Sequence, residues 1–306
     1  MKKCFVIYNY QSGKEKGPQY IDKIYAILEK YGYETTLIYT KYKHHAEDIV
    51  FEIDEADLVI SAGGDGTFNE VMTGNLKRKE PLLIANLPLG TTNDVGHMYG
   101  YKRNILKNLE LLLTGTIKET DICTINNQIF TYVAGFGNFV NIAYDTPRRL
   151  KKKFGKLGYI IYGLNAVRDS LKFFDVTYKV NGVECTGRYS LIFVTNSDHI
   201  AGVNDIYENV KLNDHKFEIV FCNLTSKREL VKSLCMLSIK HIDQIPGFTF
   251  YQSNELEIEM DNTKGTSWCI DGEKLESTEQ IFSFKIIENV KLLVPSTNAE
   301  NLFIKK

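Results

Sequence analysis

The stretch Gly63-Gly64-Asp65-Gly66-Thr67 joins a predicted buried strand, residues 57–62, to a predicted helix that begins near residue 68. Glycines let the backbone approach an anion closely, and a helix start offers N–H groups and the positive end of the helix dipole. The carboxylate of Asp65 would repel a bare phosphate, so it needs a cation, a hydroxyl or a backbone donor beside it. The pattern predicts a phosphate site, and a tight turn with an Asp cap is the alternative.

A second turn of the same kind follows at residues 87–95, Leu-Pro-Leu-Gly-Thr-Thr-Asn-Asp-Val. It comes after the apolar run at residues 81–86, which predicts another strand. In open α/β sheets, ligands bind at the carboxyl ends of the parallel strands. We therefore expect the two turns to meet at one edge of a sheet and to share a ligand.

Together, GGDGT at residues 63–67 and PLGTTND at residues 88–94 resemble the catalytic domain of the diacylglycerol kinase family of lipid kinases, in its bacterial soluble form. NAD kinases and phosphofructokinases also carry a GGDGT turn. The second motif distinguishes between them and favours the lipid kinases. The resemblance extends along nearly the whole chain.

Composition sets the broad class. A chain of 306 residues with 43% hydrophobic and 25% charged residues is typical of a globular protein with two domains. The formal net charge of -1 argues against a general nucleic-acid binder. There is no apolar run long enough to span a bilayer and no signal-peptide pattern. The six cysteines are scattered without a CxxC pair, which favours reduced thiols and a cytoplasmic location.

The order of predicted elements changes along the chain. Strands and helices alternate up to about residue 122, which predicts a doubly wound α/β domain. Short strands with hairpin turns, such as Asn181-Gly182, then predict an antiparallel β-sandwich. We predict domain boundaries at 1–122 with a returning segment at 289–306, and at 123–288. By the resemblance, the first domain binds ATP and the second presents the lipid.

The resemblance also implies which residues bind the nucleotide. The family has Asn-Pro-x-Ser-Gly after its first strand, and this chain has Tyr10 in place of the proline. A solvated loop is the alternative for this turn. The residues that we expect to contact ATP are Asn9, Ser12, Gly13, Thr40, Gly63, Gly64, Asp65, Gly66, Thr67, Phe68, Asn69, Glu70, Thr91, Asn93 and Asp94.

The predicted catalytic residues are carboxylates. Asp271-Gly272-Glu273 matches the family's Asp-Gly-Glu, and one of its two acids could accept a proton from a substrate hydroxyl. An ordinary acidic hairpin turn is the alternative. Asp65 is the third predicted catalytic residue. Asp121 either joins Asp65 and Asp94 in a polar network or caps the start of a strand.

A metal site is implied at residues 211–217. The family carries Asp-Asp-Gly here, and its Asp and two flanking carbonyls hold a structural magnesium ion. Asp214 matches that Asp, and the carbonyls of Lys211 and Lys216 match the other ligands. Asn213 replaces an Asp and His215 replaces the Gly, so the site is altered in this chain. A carboxylate with carbonyls and waters can still bind a hard cation.

We therefore predict an ATP- and Mg²⁺-dependent lipid kinase that phosphorylates the hydroxyl of diacylglycerol or a related lipid alcohol. A basic run, Arg148, Arg149, Lys151, Lys152 and Lys153, predicts peripheral contact with the anionic inner face of the membrane, and a solvated helix start is the alternative. An NAD kinase-like phosphotransferase and an inactive nucleotide- or lipid-binding regulator are the other functions considered. The sequence leaves the oligomeric state, including a homodimer, open.

Overall fold

The computed structural model describes residues 1–10, 20–90, 93–138, 172–197, 199, 206–237, 239–260, 267–275 and 277–304. The chain divides into two compact units, Met1–Thr120 together with Glu288–Lys306, and Asp121–Ile287. The mixed α/β class predicted from the sequence is confirmed. The basic run at residues 148–153 lies outside the described residues.

In the first unit, strands and helices alternate along the chain. They are β1 (Lys2–Tyr8), α1 (Ile21–Lys30), β2 (Tyr33–Tyr39), α2 (His45–Glu52), β3 (Leu58–Gly63), α3 (Asp65–Leu76), β4 (Ile84–Pro88), α4 (Asp94–Met98) and α5 (Ile105–Leu113). The four strands are parallel in the order β2-β1-β3-β4. All six residues of β3 are buried, as expected for a strand covered on both faces.

Apolar side chains fix two helices against one face of this sheet. Ile24 and Leu28 of α1 and Leu109 and Leu112 of α5 pack in one cluster with strand residues such as Ile60. Since the strands are parallel, the carboxyl ends of β1, β3 and β4 all lie at the same edge. The turns that follow these strands are therefore held close to one another by the core beneath them.

The second unit is built from antiparallel strands and one described helix. Its elements are β5 (Thr116–Ile125), which begins in the first unit, β6 (Gln128–Phe130), β7 (Val133–Gly137), β8 (Phe174–Val180), β9 (Val183–Tyr189), β10 (Leu191–Thr195), β11 (Phe217–Cys222), α6 (Lys227–Met236), β12 (Phe248–Ser253), β13 (Glu255–Met260), β14 (Cys269–Ile270), β15 (Glu273–Lys274) and the start of β16 (Ile281–Val294).

Two sheets of this unit share one hydrophobic core. One has the order β12-β11-β10-β7-β14-β15, and the other contains β16, β13, β8 and β9 with the hairpin β5-β6. Trp268, 1% exposed, joins them, because its ring centroid lies 5.3 Å from that of Phe136 in β7 and 5.1 Å from that of Phe284 in β16. Face-to-face packing of this kind leaves the strand ends and turns to build a site.

Strand β16 differs from what the sequence indicated. The returning segment predicted to begin at residue 289 continues a strand of the second unit, because β16 runs without a break over Ile281–Val294. Its first residues pair antiparallel with β13, and Leu292 and Leu293 pair parallel with Ile84 and Ala85 of β4. Asn289 has φ 60°, so the backbone of the strand is locally irregular at that point.

Candidate active site

The GGDGT turn and the turn after β4 are in direct contact. The carbonyl oxygen of Gly63 accepts the N–H of Leu89 at 2.7 Å and that of Gly90 at 3.2 Å. A Cβ at Gly90 would lie 2.7 Å from the Cα of Gly64, so only glycine allows this approach. The two turns predicted to share one sheet edge do so.

The carboxylate of Asp65 is held by the start of α4. Its Oδ2 accepts the N–H of Asp94 at 2.9 Å, and its Oδ1 accepts the N–H of Val95 at 3.2 Å. These N–H groups belong to the first turn of α4, which has no partners for them within the helix. Asp65 thus links the starts of α3 and α4. The two N–H groups are the backbone donors that the Asp65 carboxylate was expected to need beside a phosphate.

Other predicted nucleotide residues meet at the same edge. The side-chain amide of Asn9 donates to the hydroxyl of Thr67 at 2.9 Å, and the Asn9 N–H donates to the carbonyl of Ala62 at 3.0 Å. The Thr40 N–H donates to the Tyr8 carbonyl at 3.0 Å, which brings the end of β2 beside β1. Asn9, Thr40 and Thr67 are therefore gathered where the strands end.

Most of the remaining predicted nucleotide-binding residues are buried or hydrogen-bonded within the first unit. Phe68 is 1% exposed, so its side chain belongs to the core. The two carboxylate oxygens of Glu70 accept the N–H groups of His44 and Ala46, which fixes the start of α2. The amide of Asn93 donates to the Gly90 carbonyl at 2.8 Å. The backbone carbonyl of Asn69 accepts the hydroxyl of Thr73 at 2.9 Å within α3, and Asp94 is 4% exposed. Ser12, Gly13 and Thr91 lie outside the described residues.

The two acids of the Asp-Gly-Glu turn lie in the second unit and have opposite environments. Asp271, 6% exposed, accepts four hydrogen bonds: from the N–H and hydroxyl of Thr131 at 2.5 and 2.8 Å, and from the N–H groups of Tyr132 and Val133 at 3.0 and 3.2 Å. Each of its oxygens thus accepts two donors. Glu273, on β15, is exposed.

Asp121 and His215 form a carboxylate–histidine contact in the second unit. The side chain of Asp121 is 1% exposed, and its Oδ2 accepts the backbone N–H of His215 at 2.7 Å. The Nδ1 of His215 lies 3.1 Å from Oδ1 of the same carboxylate. Asp214, the next residue back, is half-buried, and its Oδ1 accepts the Lys216 N–H at 3.1 Å.

Comparison with known proteins shows which family this chain belongs to. Residues 3–125 match a family model described as the diacylglycerol kinase catalytic domain. A protein of Bacillus subtilis (strain 168) named diacylglycerol kinase is 31% identical over 247 residues, which cover 79% of this chain and 81% of the relative. The chain belongs to the diacylglycerol kinase family. The predicted lipid kinase, an enzyme that transfers phosphate to an alcohol, is confirmed.

Further relatives of this diacylglycerol kinase family member cover the chain almost completely. A diacylglycerol kinase of Staphylococcus aureus (strain bovine RF122 / ET3-1) is 27% identical over 314 residues, 98% of each chain. A crystal structure of a diacylglycerol kinase from Bacillus anthracis str. Sterne has the same fold, with a TM-score of 0.74 over 96% of this chain and 97% of that one at 19% identity. The NAD kinase-like alternative is set aside by these relatives. Within the described residues, no helix has the length and apolar character needed to span a membrane.

The residues that the diacylglycerol kinase resemblance assigns to a structural Mg²⁺ do not fit the ion well here. Of the three predicted ligands, Asp214 alone supplies a carboxylate, and one of its oxygens already accepts a backbone N–H. Burial raises the pKa of Asp214, and the nearby Asp121 carboxylate raises it further. In the described part of the chain, no three His, Cys, Asp or Glu side chains are grouped as metal ligands. Mg²⁺ dehydrates reluctantly and demands near-ideal octahedral geometry, which is harder to meet where the one carboxylate already holds a backbone N–H.

One buried acid of this diacylglycerol kinase family member escaped the sequence analysis. Glu218 in β11 is 0% exposed, and its Oε1 accepts the amide of Gln252 at 3.2 Å. Burial raises the pKa of the Cys123 thiol, and so do the charges of Glu218, Asp121 and Asp271, in that order. These three acids therefore share one neighbourhood of the second unit. The sequence signal that could have revealed Glu218 is an acid inside the otherwise apolar run Phe217–Cys222. A charge in such a run is costly unless it has partners.

Proposed function

We propose that this chain phosphorylates the hydroxyl of diacylglycerol or a related lipid alcohol with ATP, that the first unit binds the nucleotide, and that the second unit presents the lipid. The paired turns at Gly64 and Gly90 support phosphate binding, because a glycine-lined helix start offers backbone N–H groups to an anion. Asp65 positions these turns through α4. We expect Mg²⁺ to accompany the ATP phosphates and to offset their charge.

We infer that Glu273, of the two acids in the Asp-Gly-Glu turn, is the base. The observation that carries this is the contrast in exposure. Asp271 is 6% exposed and accepts donors of residues 131–133 on both oxygens, whereas Glu273 is exposed on β15. A base must have an oxygen that can reach the substrate proton.

In the proposed step, the lipid hydroxyl takes the γ-phosphoryl group directly from ATP. The lipid hydroxyl oxygen attacks the γ-phosphorus of ATP, and its proton moves to the carboxylate of Glu273. The bond from the γ-phosphorus to the bridging oxygen breaks, and ADP leaves. Asp271 takes no proton and keeps the β14–β15 turn against the segment before β7.

The test is transfer of radiolabelled phosphate from ATP to a panel of lipid alcohols. We expect a diacylglycerol to be among the accepted lipids, and Glu273→Gln to lower kcat by roughly 100- to 10,000-fold, as loss of a general base does. The thermal midpoint and ATP affinity of this variant should stay at the wild-type values. A wild-type chain that binds ATP but labels no lipid would instead favour the inactive regulator. Full activity of Glu273→Gln would exclude Glu273 as the base.

We also propose that the enzyme meets its lipid as a peripheral protein on an anionic membrane surface. The support is the basic run at residues 148–153, read from the sequence. Cations near such a surface contribute roughly 1 kcal/mol each, which permits reversible docking. A substrate that stays in the bilayer requires contact of this kind.

A further inference from the structure

We propose that His215 takes the place of the structural cation in this chain, so that the second unit needs no divalent metal at the turn around residues 211–216. The backbone N–H and the imidazole of His215 together bind the carboxylate that a cation would otherwise have to neutralise. The proposal concerns the fold of the second unit and does not depend on the lipid kinase reaction.

The contacts of Asp121 support this assignment. Its carboxylate is buried, and both oxygens lie within hydrogen-bond distance of His215, at 2.7 Å from the backbone N–H and 3.1 Å from Nδ1. Its backbone is also fixed, since its N–H donates to the Leu212 carbonyl at 2.7 Å and its own carbonyl accepts the amide of Asn196 at 2.8 Å. Asp121 thus anchors the turn to β5 through the main chain and the side chain.

The chemistry of the pair fixes the role of the ring. An ionised carboxylate can only accept hydrogen bonds, so the imidazole must direct an N–H toward Oδ1. A buried carboxylate needs either donors or a cation, because burying an uncompensated charge is very costly. Hydrogen bonds to an ionised group are stronger than those between neutral groups. Two donors from one residue therefore supply what a bound cation would supply.

The backbone conformation of His215 is strained for a residue that carries a side chain. The residue has φ 60°, the left-handed region that favours glycine. A histidine strained in this way is expected only where its side chain returns a compensating interaction. The bond to Asp121 is such an interaction.

The first experiment compares thermal midpoints of the nucleotide-free protein in EDTA and in millimolar magnesium chloride. We expect the wild-type midpoint to be the same in both. In His215→Gly, which removes the imidazole from Oδ1 of Asp121 and keeps the backbone N–H, we expect a drop of roughly 3 to 8 °C in EDTA and at least partial recovery in magnesium. Asn209→Gly is the matched control, because Asn209 is exposed, lies in the same unit and also has a positive φ of 61°. It should show no response to magnesium.

Three results would overturn the proposal: a wild-type midpoint that rises with magnesium as much as that of His215→Gly, a His215→Gly midpoint equal to the wild-type value, or a loss that magnesium does not recover. If His215→Gly fails to fold, Mn²⁺ binding by the wild-type protein without nucleotide decides, measured by electron paramagnetic resonance. We expect no Mn²⁺ bound through Asp214. One bound ion that is lost in Asp214→Asn would contradict the replacement of the cation by His215.

Discussion

Two carboxylates two residues apart, Asp271 and Glu273, meet opposite surroundings because of one tight turn. Asp271 has φ 46° and Gly272 has φ 96°, so the chain reverses sharply between β14 and β15. The first side chain consequently points into a set of backbone donors, and the second lies on the exposed hairpin. Local backbone shape, more than residue type, separates a buried, hydrogen-bonded acid from an exposed one.

Asp271→Asn should destabilise the protein. The amide replaces one acceptor oxygen with an NH₂ group that faces N–H donors, so buried donors lose their partner at a cost of about 1–3 kcal/mol. Urea unfolding would measure this as a lower free energy of unfolding. Glu273→Gln is the control, and its free energy should stay close to wild type. Equal stability of both variants would show that the four bonds of Asp271 contribute little.

Asp65→Ala should abolish phosphate transfer without unfolding the chain. The variant removes the acceptor for two N–H groups of α4, and loss of a cap of this kind costs about 0.5–2 kcal/mol. Calorimetric titration should show weaker ATP binding, and the lipid assay should show no turnover. Asp22→Ala, in the first turn of α1, is the control and should behave as wild type. Unchanged turnover of Asp65→Ala would refute the role of this residue.

At the scale of the elements, the close contact of two turns shapes the proposed phosphate site. Gly90→Ala would bring a Cβ within 2.7 Å of the Gly64 Cα, so the turns must separate. We expect a loss of roughly 1–3 kcal/mol in unfolding free energy and weaker ATP binding by calorimetry. Gly182→Ala lies in the β8–β9 hairpin with open space around it, and ATP binding should be unaffected there. Wild-type affinity in Gly90→Ala would show that the contact is dispensable.

The sequence predicted the first unit well because its signals are local. Each strand there is an apolar run, and each following turn carries glycine or a cap, as at Gly63 and Gly90. The paired turns of the candidate site were predicted for the same reason. The Asp121–His215 contact was not, since the two residues are 94 positions apart and pair only through the tertiary fold. Glu218 was missed because a lone acid in a strand has no periodicity of its own.

At the scale of the whole molecule, binding to membranes should depend on charge. Replacing Arg148, Arg149, Lys151, Lys152 and Lys153 with Gln should lower vesicle binding and activity on vesicles, because each cation contributes roughly 1 kcal/mol near an anionic surface. Wild-type binding should rise with anionic lipid and fall with salt. Activity of the variant on a short-chain, water-soluble lipid should be spared.

The control for that prediction replaces five exposed lysines elsewhere with Gln: Lys23, Lys30, Lys79, Lys107 and Lys240. Net charge changes by the same amount, so a general charge effect would lower vesicle binding equally in both variants. Equal loss of activity on both kinds of lipid would assign the basic run to folding or catalysis. No loss on either would leave it a solvated surface.

Because of the course of strand β16, the first unit can complete its sheet only after the second unit has been synthesised. Leu292 and Leu293 pair with β4 of the first unit, yet a ribosome makes them only after the whole of Asp121–Ile287. The nascent first unit must therefore wait, with one side of β4 unpaired, while the second unit emerges. Exposed strand edges of this kind are prone to wrong pairing. Stalled nascent chains that end before residue 290 should be cleaved by protease within the first unit more readily than chains that extend past residue 294.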